Sequence, residues 1–145
     1  MKSIHILLVE DNEGDILLTT EALQEGKILN RISVVRDGEE AIDFLNQKGK
    51  HTLAEQPDLV LLDVNLPKKN GHEVLQYIKK SDEIKHIPVI MLTTSSSEKD
   101  ISLSYKNHAN CYITKPVELD SFLNVVTQIE NFWISIVALP SVNKN

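Results

Sequence analysis

The sequence predicts a doubly wound α/β domain built on a five-stranded parallel sheet, and three observations predict it. Short apolar runs recur along the chain, segments with helical spacing of apolar residues lie between them, and the two kinds alternate five times. Such alternation calls for right-handed crossovers that leave helices on both faces of the sheet, with strand order 2-1-3-4-5 the simplest arrangement.

Ile4 to Val9 is apolar except for His5 and is bounded by acids, which suits a strand buried on both faces. The later runs are Ile32 to Val35, Asp58 to Leu62, Ile87 to Leu92 and Cys111 to Ile113. Each carries Val, Ile, Leu or Tyr and ends in polar or turn residues. Between them, Ile16 and Leu23 mark a first helix, Ala41, Ile42 and Leu45 a second, and Val74, Leu75 and Ile78 a third. Ser97 followed by Asp100 has the spacing of a capping box opening a fourth helix. Leu119, Phe122, Leu123, Val126 and Ile129 form the apolar stripe of a fifth. The polar stretch from Gln47 to Gln56 is expected to be an exposed loop.

The 145 residues are 41% apolar, enough for one compact domain with its own core and no need of disulfides or a structural metal. A formal net charge of -6 disfavours nucleic acid and anionic lipid as direct partners. Nowhere do about 18 uninterrupted apolar residues occur, so no membrane span is expected. The apolar start is too short and too soon acidic for a signal peptide, and the single cysteine, Cys111, has no internal partner, so the expected location is the cytoplasm.

In an open parallel sheet, ligands bind beyond the carboxyl ends of the strands, so polar residues there are informative. The first strand ends in Glu10 and Asp11, the third in Asp63, the fourth in Thr93 and Thr94, and the fifth is followed by Lys115. Three carboxylates brought together resist ionisation unless a cation holds them. An oxygen-only set points to magnesium, which keeps waters and completes its shell with phosphate oxygens. Lys115 can neutralise one phosphoryl oxygen and the Thr93 hydroxyl can donate to another, which leaves Asp63 as the nucleophile. Taken singly these are ordinary loop residues; their value lies in the combination and its order.

The motifs Val9-Glu10-Asp11-Asn12, Leu62-Asp63-Val64-Asn65-Leu66-Pro67, Met91-Leu92-Thr93 and Tyr112-Ile113-Thr114-Lys115-Pro116 resemble those of two-component receiver domains, whose fold is flavodoxin-like. The resemblance spans Ile4 to about Glu130. It implies that Asp63 takes a phosphoryl group from a sensor histidine kinase. It further implies that Asp11, Asp63 and the backbone carbonyl of Asn65 ligate magnesium, with Glu10 reaching the ion through water. Thr93 and Tyr112 match the family's switch pair, Lys115 its phosphoryl-binding lysine, and the Lys115-Pro116 bond is expected to be cis. Such a domain is a phosphoacceptor that catalyses only its own phosphorylation and dephosphorylation.

A closer similarity, to the single-domain regulators paired with phytochromes, is carried by Asn65-Leu66-Pro67-Lys68-Lys69-Asn70-Gly71, by Asn110-Cys111-Tyr112-Ile113-Thr114-Lys115, and by Phe132-Trp133 with Ala138-Leu139-Pro140. It implies a kinase of the bacterial phytochrome type, an extended last helix, and a homodimer formed through the last helices and the fifth strand. On this reading the whole of 1–145 is a single receiver domain with its core at about 4–130, an extended last helix and dimerisation segment at 131–140, and a frayed tail at 141–145. The surplus apolar residues Trp133, Ile134, Ile136, Val137 and Leu139 fit either a longer last helix packed on its own domain or, the favoured reading, a buried contact between copies. Thr94 departs from the small residue many receivers carry there, and Asn65 and Ser95 occupy positions that tune loss of the phosphoryl group.

Other features read as ordinary. Cys111 is expected to pack as a small apolar residue, and Lys68 and Lys69 to form a solvated loop beside Asp63. The five histidines lack the spacing of a zinc site. A haloacid-dehalogenase-type phosphatase would need a second Asp where Asn65 stands, and a receiver-shaped module that is never phosphorylated would be expected to lack one of the site residues.

Overall fold

The computed structural model describes residues 4–25, 30–94 and 111–126. The elements follow as β1 (Ile4–Val9), α1 (Glu13–Gln24), β2 (Asn30–Val35), α2 (Gly38–Asn46), a 3-10 turn (Gly49–His51), β3 (Leu59–Asp63), α3 (Gly71–Lys80), β4 (Val89–Thr93), β5 (Cys111–Thr114) and a helix at Leu119–Val126. All four strand pairings are parallel, and the sheet order is β2-β1-β3-β4-β5. This is the flavodoxin-like doubly wound sheet that the alternating pattern predicts.

Because successive strand residues face opposite ways, each central strand feeds two cores. Leu7, Val9, Val60, Leu62, Val89 and Met91 face Ala41, Phe44 and Leu45 of α2 and Val74, Leu75 and Ile78 of α3. Ile6, Leu8, Leu59, Leu61, Ile90 and Leu92 face Leu23 of α1 and Phe122 of the Leu119–Val126 helix. Burying each such Leu or Ile contributes about 1.5–3 kcal/mol. Double-sided burial is why the strands read as continuous apolar runs rather than as alternating ones.

Strand boundaries shift for local reasons. β3 starts at Leu59 because Asp58 is spent on β1: its Oδ2 accepts from His5 N at 2.9 Å, and its own N donates to His5 O at 2.7 Å. β4 starts at Val89 because Pro88 has no N–H and Ile87 N closes a turn onto Ile84 O at 3.0 Å. β2 begins two residues early, at Asn30. The Gln47–Gln56 stretch is exposed, as expected, except at His51 and Ala54, which are partly buried. It contains the 3-10 turn, and the His51 ring packs on Phe44 at a centroid distance of 5.0 Å while its Nε2 lies 3.0 Å from Glu40 Oε2.

The helices begin with strong caps. Asn12 Oδ1 accepts from Asp15 N at 2.9 Å, Asp37 Oδ1 from Glu40 N at 2.7 Å, and Asn70 forms a reciprocal capping box with Glu73 at 3.0 Å in each direction. α1 is the least amphipathic: Thr19 and Leu23 are buried, whereas Leu17 and Leu18 stay more than half exposed. Among the described residues, no helix is long and apolar enough to cross a membrane. Ser95, Ser97, Asp100, Ile129 and the whole segment from Phe132 to Asn145, with the expectations attached to them, lie outside the described residues.

Candidate functional site at the carboxyl ends of the strands

β1, β3 and β4 stop at nearly the same level, so the residues ending them converge. Val9 pairs with Leu62, Asp63 with Leu92, and Thr93 with Thr114. Past the end of β1, Glu10 N donates to Val35 O at 3.0 Å and holds the next side chain over the sheet. Past β5, Lys115 N donates to Thr93 O at 2.7 Å, and the Lys115-Pro116 peptide is cis.

These anchors bring Glu10, Asp63, Thr93 and Lys115 together. Glu10, Asp63 and Thr93 are buried, and Asp11 beside them is exposed. The Lys115 Nζ reaches back across β4 and β3 to lie 2.7 Å from Glu10 Oε1, 3.0 Å from Asp15 Oδ2 and 3.3 Å from Asp63 Oδ2. Glu10, Asp11 and Asp63 each present one oxygen, and the three oxygens lie within 4.8 Å of one another.

The electrostatics follow from this crowding. Burial, then the charge of Glu10, pushes the Asp63 carboxyl up to about 7, with Lys115 pulling the other way. Burial alone would lower the Lys115 ammonium, but hydrogen bonds to Glu10 and Asp15 and the charge of Asp63 outweigh it, so the lysine is held firmly protonated. Asp63 Oδ1 is buried without a hydrogen-bond donor. A buried carboxylate oxygen with no donor, beside two more acids and no nitrogen or sulfur ligand, fits a hard divalent cation and the anion it would carry.

The loop after Asp63 is held by backbone contacts. Gly71 N donates to Val64 O at 2.9 Å, and Gly38 N donates to Pro67 O at 3.4 Å. A Cβ on Gly71 would lie 2.2 Å from Asp63 O, so α3 can start this close to the site only with glycine there. Asn65 is exposed on this loop, two residues beyond Asp63. Lys68 and Lys69 are exposed too, as expected of a solvated loop, with Lys68 at φ 68°.

Thr93 and Tyr112 share a sheet face, because Met91, two residues before Thr93, is Tyr112's register partner. Tyr112 is half-buried against the α2/α3 core. Thr94 is exposed. Cys111 is buried in β5, and burial pushes its thiol up, which favours the packing role. Asp15 is the site residue that sequence reasoning missed. Its position one helical turn beyond Asp11, on a helix capped by Asn12, was the available signal.

Comparison with known proteins agrees with this geometry. The family described as response regulator receiver domain matches residues 6–127. Response regulator Rcp1 of Synechocystis sp. is 46% identical over 136 residues, covering 94% of this chain and 92% of that protein. The crystal structure of the Mn(2+)-bound form of Rcp1 superposes with a TM-score of 0.75 at 45% identity, covering 90% of this chain and 94% of that one. The phosphorylated cyanobacterial phytochrome response regulator RcpA superposes at 0.77 with 48% identity, covering 92% and 96%. Matched from β1 to the Leu119–Val126 helix, with an acid pair, a buried Asp, a threonine and a lysine at the strand ends, this chain belongs to the response regulator receiver domain family.

Proposed function

We propose that Asp63 is the phosphoacceptor of a receiver that takes its phosphoryl group from the phosphohistidine of a sensor kinase. The observation that carries this is the placement of the Lys115 ammonium 3.3 Å from a buried Asp63 whose other oxygen has no donor. An Asp63 oxygen forms a bond to phosphorus as the phosphorus–nitrogen bond to the donor imidazole breaks, and the imidazole leaves with the bonding pair and is protonated. Lys115 neutralises one phosphoryl oxygen and Thr93 donates to another.

Glu10, Asp11, Asp63 and the backbone carbonyl of Asn65 would hold a divalent cation, and the all-oxygen donor set favours magnesium. When bound, that ion supplies positive charge against the phosphoryl oxygens and lowers the repulsion among the acids. Its use here draws support from the Mn(2+)-bound form of the related Rcp1.

Thr93 and Tyr112 form the switch: the hydroxyl moves toward the phosphoryl group, and the ring, now half-buried on the same face, follows. Phosphorylation biases this two-state surface only through its different interaction with the two shapes. Output runs through protein contacts, including a homodimer formed by the last helices, β5 and the segment after it. The resemblance to a phytochrome response regulator favours a kinase of the phytochrome type as donor.

The test is incubation with acetyl phosphate and magnesium followed by intact-mass measurement. Asp63 labelling that disappears in Asp63→Asn supports the assignment, and label retained in that variant moves the acceptor elsewhere. Phosphotransfer from a panel of histidine kinases then identifies the donor.

A further inference from the structure

Lys115 has three N–H donors and meets three acids, Glu10 at 2.7 Å, Asp15 at 3.0 Å and Asp63 at 3.3 Å. Two of these acids have a second role: Glu10 and Asp63 belong with Asp11 to the trio whose oxygens gather within 4.8 Å, and Asp15 does not. Asp15 stands on the first turn of α1, where Asn12 Oδ1 caps its backbone N at 2.9 Å. Its backbone is therefore fixed, and its side chain is only 34% exposed.

We propose that Asp15 is a positioning residue that keeps the Lys115 ammonium at the mouth of the site while Glu10 and Asp63 are engaged elsewhere. The inference rests on the reading of Asp63 as phosphoacceptor and adds a regulating contact to that site. Lysine is a flexible point charge on a four-carbon stem, so its location depends on the partners that hold it. With Asp15 in place, the ammonium can leave Glu10 and Asp63 and still stay within reach of an incoming phosphoryl oxygen. Without Asp15, its remaining partners are the two carboxylates that a divalent cation needs. The ammonium then competes with the cation and blocks the nucleophile it should assist, so metal binding and phosphorylation weaken together.

The experiment uses the full chain with acetyl phosphate and magnesium, measuring the initial rate of Asp63 phosphorylation and, by calorimetry, magnesium affinity. Asp15→Asn preserves shape and removes the charge. Its expected effect is a five- to tenfold slower phosphorylation and about threefold weaker magnesium binding, less than the loss of a whole charge-assisted hydrogen bond because the amide oxygen still accepts from Lys115. In a Lys115→Ala background the same substitution is expected to change either quantity by less than about twofold, because a residue acting through Lys115 has nothing left to position. Unchanged rate and affinity in Asp15→Asn overturn the proposal. So does an equal loss with and without Lys115, which would mark Asp15 as a direct attractor of the cation. Label that survives Asp63→Asn, or a wild-type protein that takes no label, instead removes the phosphoacceptor reading and this inference with it.

Discussion

Lys115 Nζ lies 2.7 Å from Oε1 of Glu10, a contact between the residue following β5 and the residue following β1 that bridges the intervening ends of β3 and β4. The side chains of Lys115 and Glu10 are 9% and 1% exposed, so the pair is nearly desolvated. Removing one member of such a pair costs more than the pair itself contributes, because the survivor is left buried and unmatched. Lys115→Ala is expected to destabilise the metal-free protein by about 2–4 kcal/mol, somewhat less than is usual for a broken buried pair, since Asp63 can take up a proton. Urea denaturation with and without saturating magnesium checks this: the deficit should shrink when the ion is present.

Asp63 gives the site a pH dependence of known sign. Its folded-state carboxyl is raised to about 7, so the folded chain holds a proton that the unfolded chain releases near 3.8. The group therefore favours folding at low pH, and that contribution is lost as pH rises from about 4 through about 7. Cation binding needs the ionised form, so magnesium affinity should climb through the upper part of this window and level off above it. Calorimetric titration at several pH values should show the climb, and in Asp63→Asn the curve should flatten.

His5 acts in the opposite direction. It is buried in β1 with Nε2 2.8 Å from Ser33 Oγ, and burial followed by the charge of Arg31 lowers its pKa below 6.5. The unfolded chain takes up this proton first, so the stability that neutral His5 provides is present above pH 6.5 and is lost as pH falls below it. His5→Leu should be less stable than wild type at pH 7, with Ser33 losing its partner, and the gap should narrow at pH 5. Thermal melts of the two proteins at both pH values test this.

Gly71 is a tight backbone approach directly behind Asp63. An added Cβ would sit 2.2 Å from Asp63 O and 2.8 Å from Val64 Cα, neither of which can yield as a flexible side chain would. Gly71→Ala is expected to cost about 3 kcal/mol, at the upper end for overpacking, and to slow phosphorylation by shifting the loop that follows Asp63. Chemical denaturation and the acetyl phosphate assay read the two effects. Gly71→Ala at wild-type stability would contradict the packing described.

Lys68 adopts φ 68° on the same loop, a left-handed conformation that costs a residue with a Cβ about 1–2 kcal/mol. Lys68→Gly should therefore raise stability by about 0.5–1 kcal/mol, because glycine's greater unfolded-state freedom offsets part of the relief. The denaturation midpoint should rise with an unchanged slope.

Most of the sheet was legible because its strands are buried on both sides. Ile4–Val9 appears in the sequence with its exact bounds, since nothing polar but His5 interrupts it and an acid ends it. The edges of β3 and β4 were not legible, since they depend on Asp58 pairing with His5 fifty-three residues away and on the turn before Pro88. Glu10, Asp11, Asp63, Thr93 and Lys115 could be gathered in advance because strand order alone aligns their ends. Asp15 could not, because its role depends on where a long lysine side chain comes to rest. Nor could the packing of His51 from the exposed 47–56 segment against Phe44.

The bond from Lys115 to Asp15 joins residues one hundred positions apart, and the same ammonium touches Glu10 just past β1 and Asp63 at the end of β3. No fragment that ends before β5 contains the lysine, and no chain with β5 undocked brings it to Asp63. The pairing of Asp63 with Lys115 thus arrives only with the last piece of the sheet. On the proposed roles of Asp63 and Lys115, a copy with β5 undocked would carry the acceptor without its cationic neighbour, so phosphoryl uptake would report a completed sheet.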